Sequence, residues 1–265
     1  MSNVLLSKDI VDEVITIAIS AGSAIMDVYK TDFSVNIKDD KSPVTEADTK
    51  ANEIITNGLL NLPFNLPILS EEGASIAFKE RSKWKSYWLV DPLDGTKEFV
   101  KKNDEFTVNI ALMDNNIPIF GVVYAPVFES IYWGGLDIGS FKSLKNNEAS
   151  SISVRSDFNT PIHIATSRSH PSLEMDTFLK QFMNVKLHPM GSSLKMCSVA
   201  EGSVHLYPRL GPTMEWDTAA SHAIVKAAGG ELNQYGHNIP LIYNKENLLN
   251  PKFIAGSVKY IQNLM

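Results

Sequence analysis

Two acids and a proline stand together at Asp91-Pro92-Leu93-Asp94, and Gly95-Thr96 follows at once. Proline fixes the backbone and stiffens the turn. Both carboxylates and the Leu93 carbonyl can then converge on one spot. That suits a hard cation such as Mg²⁺, which takes oxygen ligands and keeps several waters. Gly95-Thr96 reads as the opening of a helix, where bare amides bind phosphate oxygens and glycine permits close approach. Metal carboxylates beside such amides describe a phosphatase site. Three further acidic spots stand at strand ends or helix starts: Glu71-Glu72, Asp217 after Glu215-Trp216, and Asp48 just after Thr45. Each has a plainer reading. Glu71-Glu72 suits a solvated turn, Asp217 a first-turn anion, and Asp48 a capping box with Thr45.

These residues need elements to carry them. Ile10, Val14, Ile17, Ala18, Ala21, Ile25 and Val28 predict a helix over 7–29 with Ser7 as cap. A short strand is expected over 33–38 and a second helix over 45–60. Strands follow at 66–70 and 87–90, the second ending in the Asp91 turn. Strands at 106–113 and 117–125, joined by Asp114-Asn115-Asn116, read as a hairpin. Further strands are expected at 129–135 and 152–155. From about residue 161 strands and helices alternate: strands at 162–166, 185–188 and 204–207, helices at 171–182, 192–201 and 218–228. The first part is thus helices flanking a mostly antiparallel sheet, and the second a β/α layered half. The expected division is 1–158 as a metal-binding α+β part and 159–265 as an α/β part that completes the site.

Composition bounds the rest. The 265 residues are 44% hydrophobic and 20% charged, the balance of a globular chain that needs no staple to fold. No apolar stretch of about 18 residues exists, so no spanning helix is expected. The formal charge is −6, which disfavours a nucleic acid polymer as partner. An acidic chain that handles phosphate must borrow positive charge from metal ions. Cys197 is the single cysteine, so no internal disulfide forms, and its apolar neighbours make it a core residue. Asp9, Asp12 and Glu13 stand where a secretory signal needs an apolar core. The chain therefore reads as cytoplasmic, with contact at the inner membrane face and oligomeric state left open.

Trp88-Leu89-Val90-Asp91-Pro92-Leu93-Asp94-Gly95-Thr96-Lys97-Glu98-Phe99 resembles the first signature of the inositol monophosphatase superfamily. Glu215-Trp216-Asp217-Thr218-Ala219-Ala220, running on to Gly230, resembles its second. Ser42 to Asp48 and Ser70-Glu71-Glu72 match two further motifs in family order. Gly95-Thr96-Lys97-Glu98-Phe99 is similar to the 3'(2'),5'-bisphosphate nucleotidase branch of CysQ type, where inositol monophosphatases usually read Gly-Thr-Thr-Asn-Phe. Gly191-Ser192-Ser193-Leu194-Lys195 and Tyr207 to Pro212 are similar to the same branch.

The resemblance implies a layered α/β/α/β/α sandwich and hydrolysis of adenosine 3',5'-bisphosphate to AMP and phosphate, with the sulfated nucleotide a further candidate substrate. It implies two or three Mg²⁺ ions and inhibition by Li⁺. Position by position, Glu71, Asp91 and the Leu93 carbonyl would hold one ion, and Asp91, Asp94 and Asp217 another. Thr96, backed by Asp48, would orient the attacking water, with Glu71 beside it. The amides of Gly95 and Thr96 would grip the scissile phosphate, and Glu71, Leu93, Asp94 and Asp217 would also line the substrate. Lys195 and Arg209 are candidates for the nucleotide's other phosphate, and His170 and Ser192 for its ribose or base. The competing readings are an inositol monophosphatase-like sugar phosphatase and a non-catalytic phosphate-binding module.

Overall fold

Helix α1 (Lys8–Tyr29) is the first of the described elements. Ser7 caps it in extended conformation, its hydroxyl accepting from the Ile10 amide at 3.4 Å. Ile10, Val14, Ile17, Ala21 and Ile25 form one buried stripe at helical spacing. Strands β1 (Val35–Ile37) and β2 (Pro43–Thr45) pair antiparallel, and α2 (Glu46–Leu60) begins directly after its cap, Thr45. The architecture comes from a computed structural model describing residues 6–37, 43–73, 75–145, 147–157, 159–168, 173–262 and 264.

The larger sheet takes its strands in chain order: β3 (Ile68–Ser70), β4 (Ser86–Asp94), β5 (Thr107–Asp114), β6 (Ile117–Ala125), β7 (Ser130–Gly135), β8 (Gly139–Leu144) and β9 (Ser150–Ser151). The β3–β4 pair is parallel and the remaining pairs are antiparallel. Two short helices interrupt the run, α3 (Phe78–Arg81) before β4 and α4 (Thr96–Val100) after it. The β5–β6 hairpin turns on Asn115 and Asn116, whose φ of 48° and 61° lie in the left-handed region asparagine tolerates.

The smaller sheet is ordered β11-β10-β12-β14-β13, from β10 (Ile162–Ser167), β11 (Val185–Met190), β12 (Leu206–Arg209), β13 (Gly230–Gln234) and β14 (Phe253–Ser257). Strand β10 runs parallel to β11 and β12, and β14 antiparallel to β12 and β13. Helices α5 (Leu173–Leu179), α6 (Leu194–Ala200), α7 (Glu215–Ala227) and α8 (Val258–Gln262) complete the described elements.

Alternation along the strands sorts the layers. On β4, Trp88 and Val90 join the core under α1 and α2, whereas Tyr87 and Leu89 join the core holding α6 and α7. On β10, Ile162 and Ile164 face Phe178 of α5 and Ile261 of α8, while Ala165 faces the middle. Helices, sheet, helices, sheet, helices follow in order, which is the expected α/β/α/β/α sandwich. Gly121 of β6 lets α7 sit very close, since a Cβ there would lie 2.1 Å from the Ala220 carbonyl oxygen.

Several elements differ from the sequence expectation. Strand β4 does not end at Val90 but runs through Asp94, with a pairing irregularity between Asp91 and Asp94. Residues 152–155 are not a strand; β9 lies just before them, and the Val154 amide donates to Ala228 instead. Helix α7 starts at Glu215 rather than 218, and α5 ends at Leu179 rather than 182. The expected start of α5 at residue 171 lies outside the described residues. Strands β8, β13 and β14 and helix α8 are short, and weak apolar periodicity hid them.

Candidate active site

Strand β3 ends at Ser70, and β4 beside it carries Asp91, so parallel pairing brings Glu71 next to Asp91. The Glu71 amide donates to the Val90 carbonyl at 3.1 Å, continuing that ladder by one residue. Helix α7 delivers Asp217 from the middle layer. Its carboxylate Oδ2 accepts from the Met214 amide at 2.9 Å, which fixes it in the first turn. Glu71, Asp91 and Asp217 each present a carboxylate oxygen, and these oxygens lie within 4.8 Å of one another.

Crowding like charges in a buried place raises carboxyl pKa values. Burial holds Asp91 well above its ordinary value, and the charges of Glu71, Asp94, Asp217 and Asp48 push the same way. Asp217 is raised by burial and then by Asp94, against the pull of the Met214 amide. The Leu93 amide donates to Asp91 Oδ1 at 3.1 Å and fixes its rotation.

Asp94 lines the same cleft but is not one of the three converging acids. Its Oδ2 instead accepts from the hydroxyls of Ser192 at 3.0 Å and Ser193 at 2.8 Å. Asp48 does two things at once. Its Oδ2 closes the capping box, accepting from the Thr45 amide at 2.8 Å and the Thr45 hydroxyl at 2.7 Å. Its Oδ1 accepts from the Thr96 hydroxyl at 3.2 Å, so the capping box and a contact with Thr96 coexist. The Thr96 hydroxyl also lies 3.3 Å from the Leu93 carbonyl oxygen.

Gly95 precedes α4 at a φ of 93°, a conformation glycine adopts without Cβ strain. Helix α4 has only five residues, so it carries little macrodipole. What this turn offers an anion is therefore the backbone amides of Gly95 and Thr96 rather than a helix dipole.

Glu71, Asp91, Leu93 and Thr96 line a cleft of about 210 Å³. A neighbouring cavity of about 100 Å³ is lined by Ser192, Lys195, Tyr207, Arg209 and Phe253. Asp94, Gly95, Glu98 and Asp217 belong to both walls, so the two spaces adjoin. Lys195 is buried; its ammonium donates to the Ser192 carbonyl at 2.6 Å and the Met190 carbonyl at 3.3 Å. Burial lowers its pKa to about 8, although Asp94 pulls the other way. Arg209 donates from Nη2 to the Pro212 carbonyl at 2.7 Å, and its buried Nε has no partner among the described residues. His170 lies outside the described residues. Cys197 is core, as expected, and burial raises its thiol well above the ordinary value. Trp216 packs half-buried against the middle core.

Sequence reasoning missed Thr107, Asn109 and Ser193. The Asn109 amide donates to Ser193 Oγ at 2.9 Å, and the Thr107 hydroxyl to Asn109 Oδ1 at 2.9 Å. The available signal was two polar residues at i and i+2 on one face of an otherwise apolar strand.

The family model for the inositol monophosphatase family matches residues 8–264. The 3'(2'),5'-bisphosphate nucleotidase CysQ of Escherichia coli (strain K12) is 46% identical over 247 residues, 91% of this chain and 97% of that protein. The protein of the same name from Buchnera aphidicola subsp. Acyrthosiphon pisum is 42% identical over 255 residues, 95% of each chain. The crystal structure of CysQ from Bacteroides thetaiotaomicron matches with a TM-score of 0.85 at 41% identity, covering 96% of this chain and 99% of that one. The suppressor protein suhB from Bartonella henselae shares the fold, with a TM-score of 0.79 at 24% identity over 97% of each chain.

The family is metal-dependent, and the residues fit that requirement. All three converging donors are hard oxygens, and a divalent cation offsets the mutual repulsion that raises Asp91 and Asp217. From residue 8 to residue 264, this chain belongs to the inositol monophosphatase family.

Proposed function

We propose that this chain is a Mg²⁺-dependent phosphatase that removes the 3'-phosphate of adenosine 3',5'-bisphosphate, giving AMP and phosphate. Relatives of 42–46% identity bearing that nucleotidase name support the substrate. One geometric observation carries the chemistry: Glu71, Asp91 and Asp217 converge beside Gly95 and Thr96. The reading extends to clearing a by-product of sulfate assimilation, with the sulfated nucleotide as a second substrate.

Glu71, Asp91 and Asp217 would hold the cation, with Asp94 and the Leu93 carbonyl completing the donor set. A bound divalent cation supplies Lewis acidity and offsets negative charge on the phosphate. The protein's own groups do the rest. The Thr96 hydroxyl has one proton and two acceptors, Asp48 Oδ1 and the Leu93 carbonyl. With that proton engaged, a Thr96 lone pair is available to accept a hydrogen bond from the attacking water. Asp48, buried and doubly bonded to Thr45, holds the hydroxyl in that sense and takes the proton passed on. The water oxygen bonds to phosphorus, the bond from phosphorus to the ribose 3'-oxygen breaks, and that oxygen takes a proton from a solvent water to become the 3'-hydroxyl of AMP. The Gly95 and Thr96 amides steady the phosphate oxygens. In the adjoining cavity, Arg209 and Lys195 take the nucleotide's other phosphate, and the unpartnered Nε of Arg209 supports that role. Ser192 and His170 stand for the ribose or base.

Phosphate release from adenosine 3',5'-bisphosphate tests this, with and without Mg²⁺, then with Li⁺ added. Mg²⁺-dependent release that Li⁺ suppresses is expected. A preference for an inositol phosphate would overturn the substrate assignment.

A further inference from the structure

Ser193 stands where three elements meet, and the proposed chemistry makes no use of it. It precedes α6 and is fully buried, yet its side chain makes no cap bond to that helix. Its Oγ lies 2.8 Å from Asp94 Oδ2 at the end of β4 and 2.9 Å from the carbonyl oxygen of Asp217 in the first turn of α7. Asn109 of β5 donates its Nδ2 proton to the same Oγ at 2.9 Å. A hydroxyl has a single proton. With Asn109 occupying the acceptor side, that proton goes to the two oxygens that belong to Asp94 and Asp217.

The neighbouring groups reinforce this. Ser192 Oγ lies 3.0 Å from the same Asp94 Oδ2 and accepts from the Ser193 amide at 2.5 Å. Ser192 holds a φ of 51°, rare for a residue with a side chain, so the turn is kept in shape by its bonds. Thr107 Oγ1 lies 2.6 Å from Ser192 Oγ and closes the ring of polar groups back to Asn109. Every one of these contacts on Asp94 lands on Oδ2, with Asn109 Nδ2 a further 3.5 Å neighbour of that oxygen. Groups that tie one oxygen of a ligand carboxylate fix the direction of the other.

We propose that Ser193 is a positioning residue for the metal centre, joining Asp94 to the Asp217 backbone so that two chain-distant carboxylates hold one register. This rests on the metal-dependent reading above. A merely structural serine would lower the melting temperature equally with and without cation. A positioning serine changes how much cation the fold needs.

Thermal unfolding of the substrate-free full chain, titrated with MgCl₂, separates the two. Ser193→Ala removes the shared proton, and Asn109→Ala removes the group that aims it. Ser193→Ala should raise the Mg²⁺ concentration at half-maximal shift by about tenfold, with Asn109→Ala moving in the same direction. Asn109→Ala keeps the test decisive if Ser193→Ala does not fold. Midpoints equal to the parent's in the variants that fold would overturn the role of Ser193 and leave the metal reading standing. A parent chain whose melting temperature ignores Mg²⁺ would overturn both.

Discussion

Burial and several neighbouring acids act together on Asp91, and their effects on stability and on activity are opposed. Asp91→Asn removes a crowded buried charge, so in chelator the variant should melt a few degrees higher than the parent. The same change should cut phosphate release by more than about a hundredfold, because a cation ligand is gone. Calorimetry beside a phosphate assay reads both. Lys195 presents the reverse case of a buried cation. Its folded pKa of about 8 lies below the ordinary 10.5, so between those values the unfolded chain holds the proton and the folded chain does not. Stability linked to this group is therefore fully present above about 10.5 and lost as pH falls through about 8. Melting temperature should climb across that window, and Lys195→Met should flatten the climb while raising KM. An unchanged slope in the variant would show that Lys195 is not the group responsible.

Helix α7 and strand β6 set the geometry of the whole middle layer, and Gly121 is where they touch. Gly121→Ala puts a methyl 2.1 Å from a carbonyl oxygen with no flexible side chain to yield. The cost should exceed about 3 kcal/mol, lowering the melting temperature by about 10 °C. Because Asp217 rides on α7, metal affinity should fall with it. At this scale the long periodic elements were legible, α1 from its apolar stripe and the β5–β6 hairpin from its asparagine turn. Strands β8, β9 and β14 were not, because their pairing partners rather than their own pattern define them. The site divides the same way. Asp91-Pro92-Leu93-Asp94 was readable because its chemistry lies within four residues. Asp94's tie to Ser193 was not, because it depends on how α6 lands against β4 and α7. The Asp48 motif was legible twice over, once as a cap and once as a partner of Thr96.

Across the whole molecule, the proposed donors come from two layers, Glu71, Asp91, Leu93 and Asp94 from the larger sheet and Asp217 from α7 in the middle layer. Mg²⁺ at a hundred times its Kd should stabilise the fold by about 2.7 kcal/mol, or roughly 5 to 10 °C in melting temperature. No shift at millimolar Mg²⁺ would remove the metal assignment. None of the described helices is long and apolar enough to cross a membrane. The order in which the proposed ligands occur along the chain has a consequence for biosynthesis. Glu71 and Asp91 leave the ribosome first, and Asp217 follows more than a hundred residues later. A nascent polypeptide halted before that point holds only part of the ion cage. On the proposed reading, ion capture waits for the segment that carries Asp217, and catalysis switches on once it is made rather than growing by degrees.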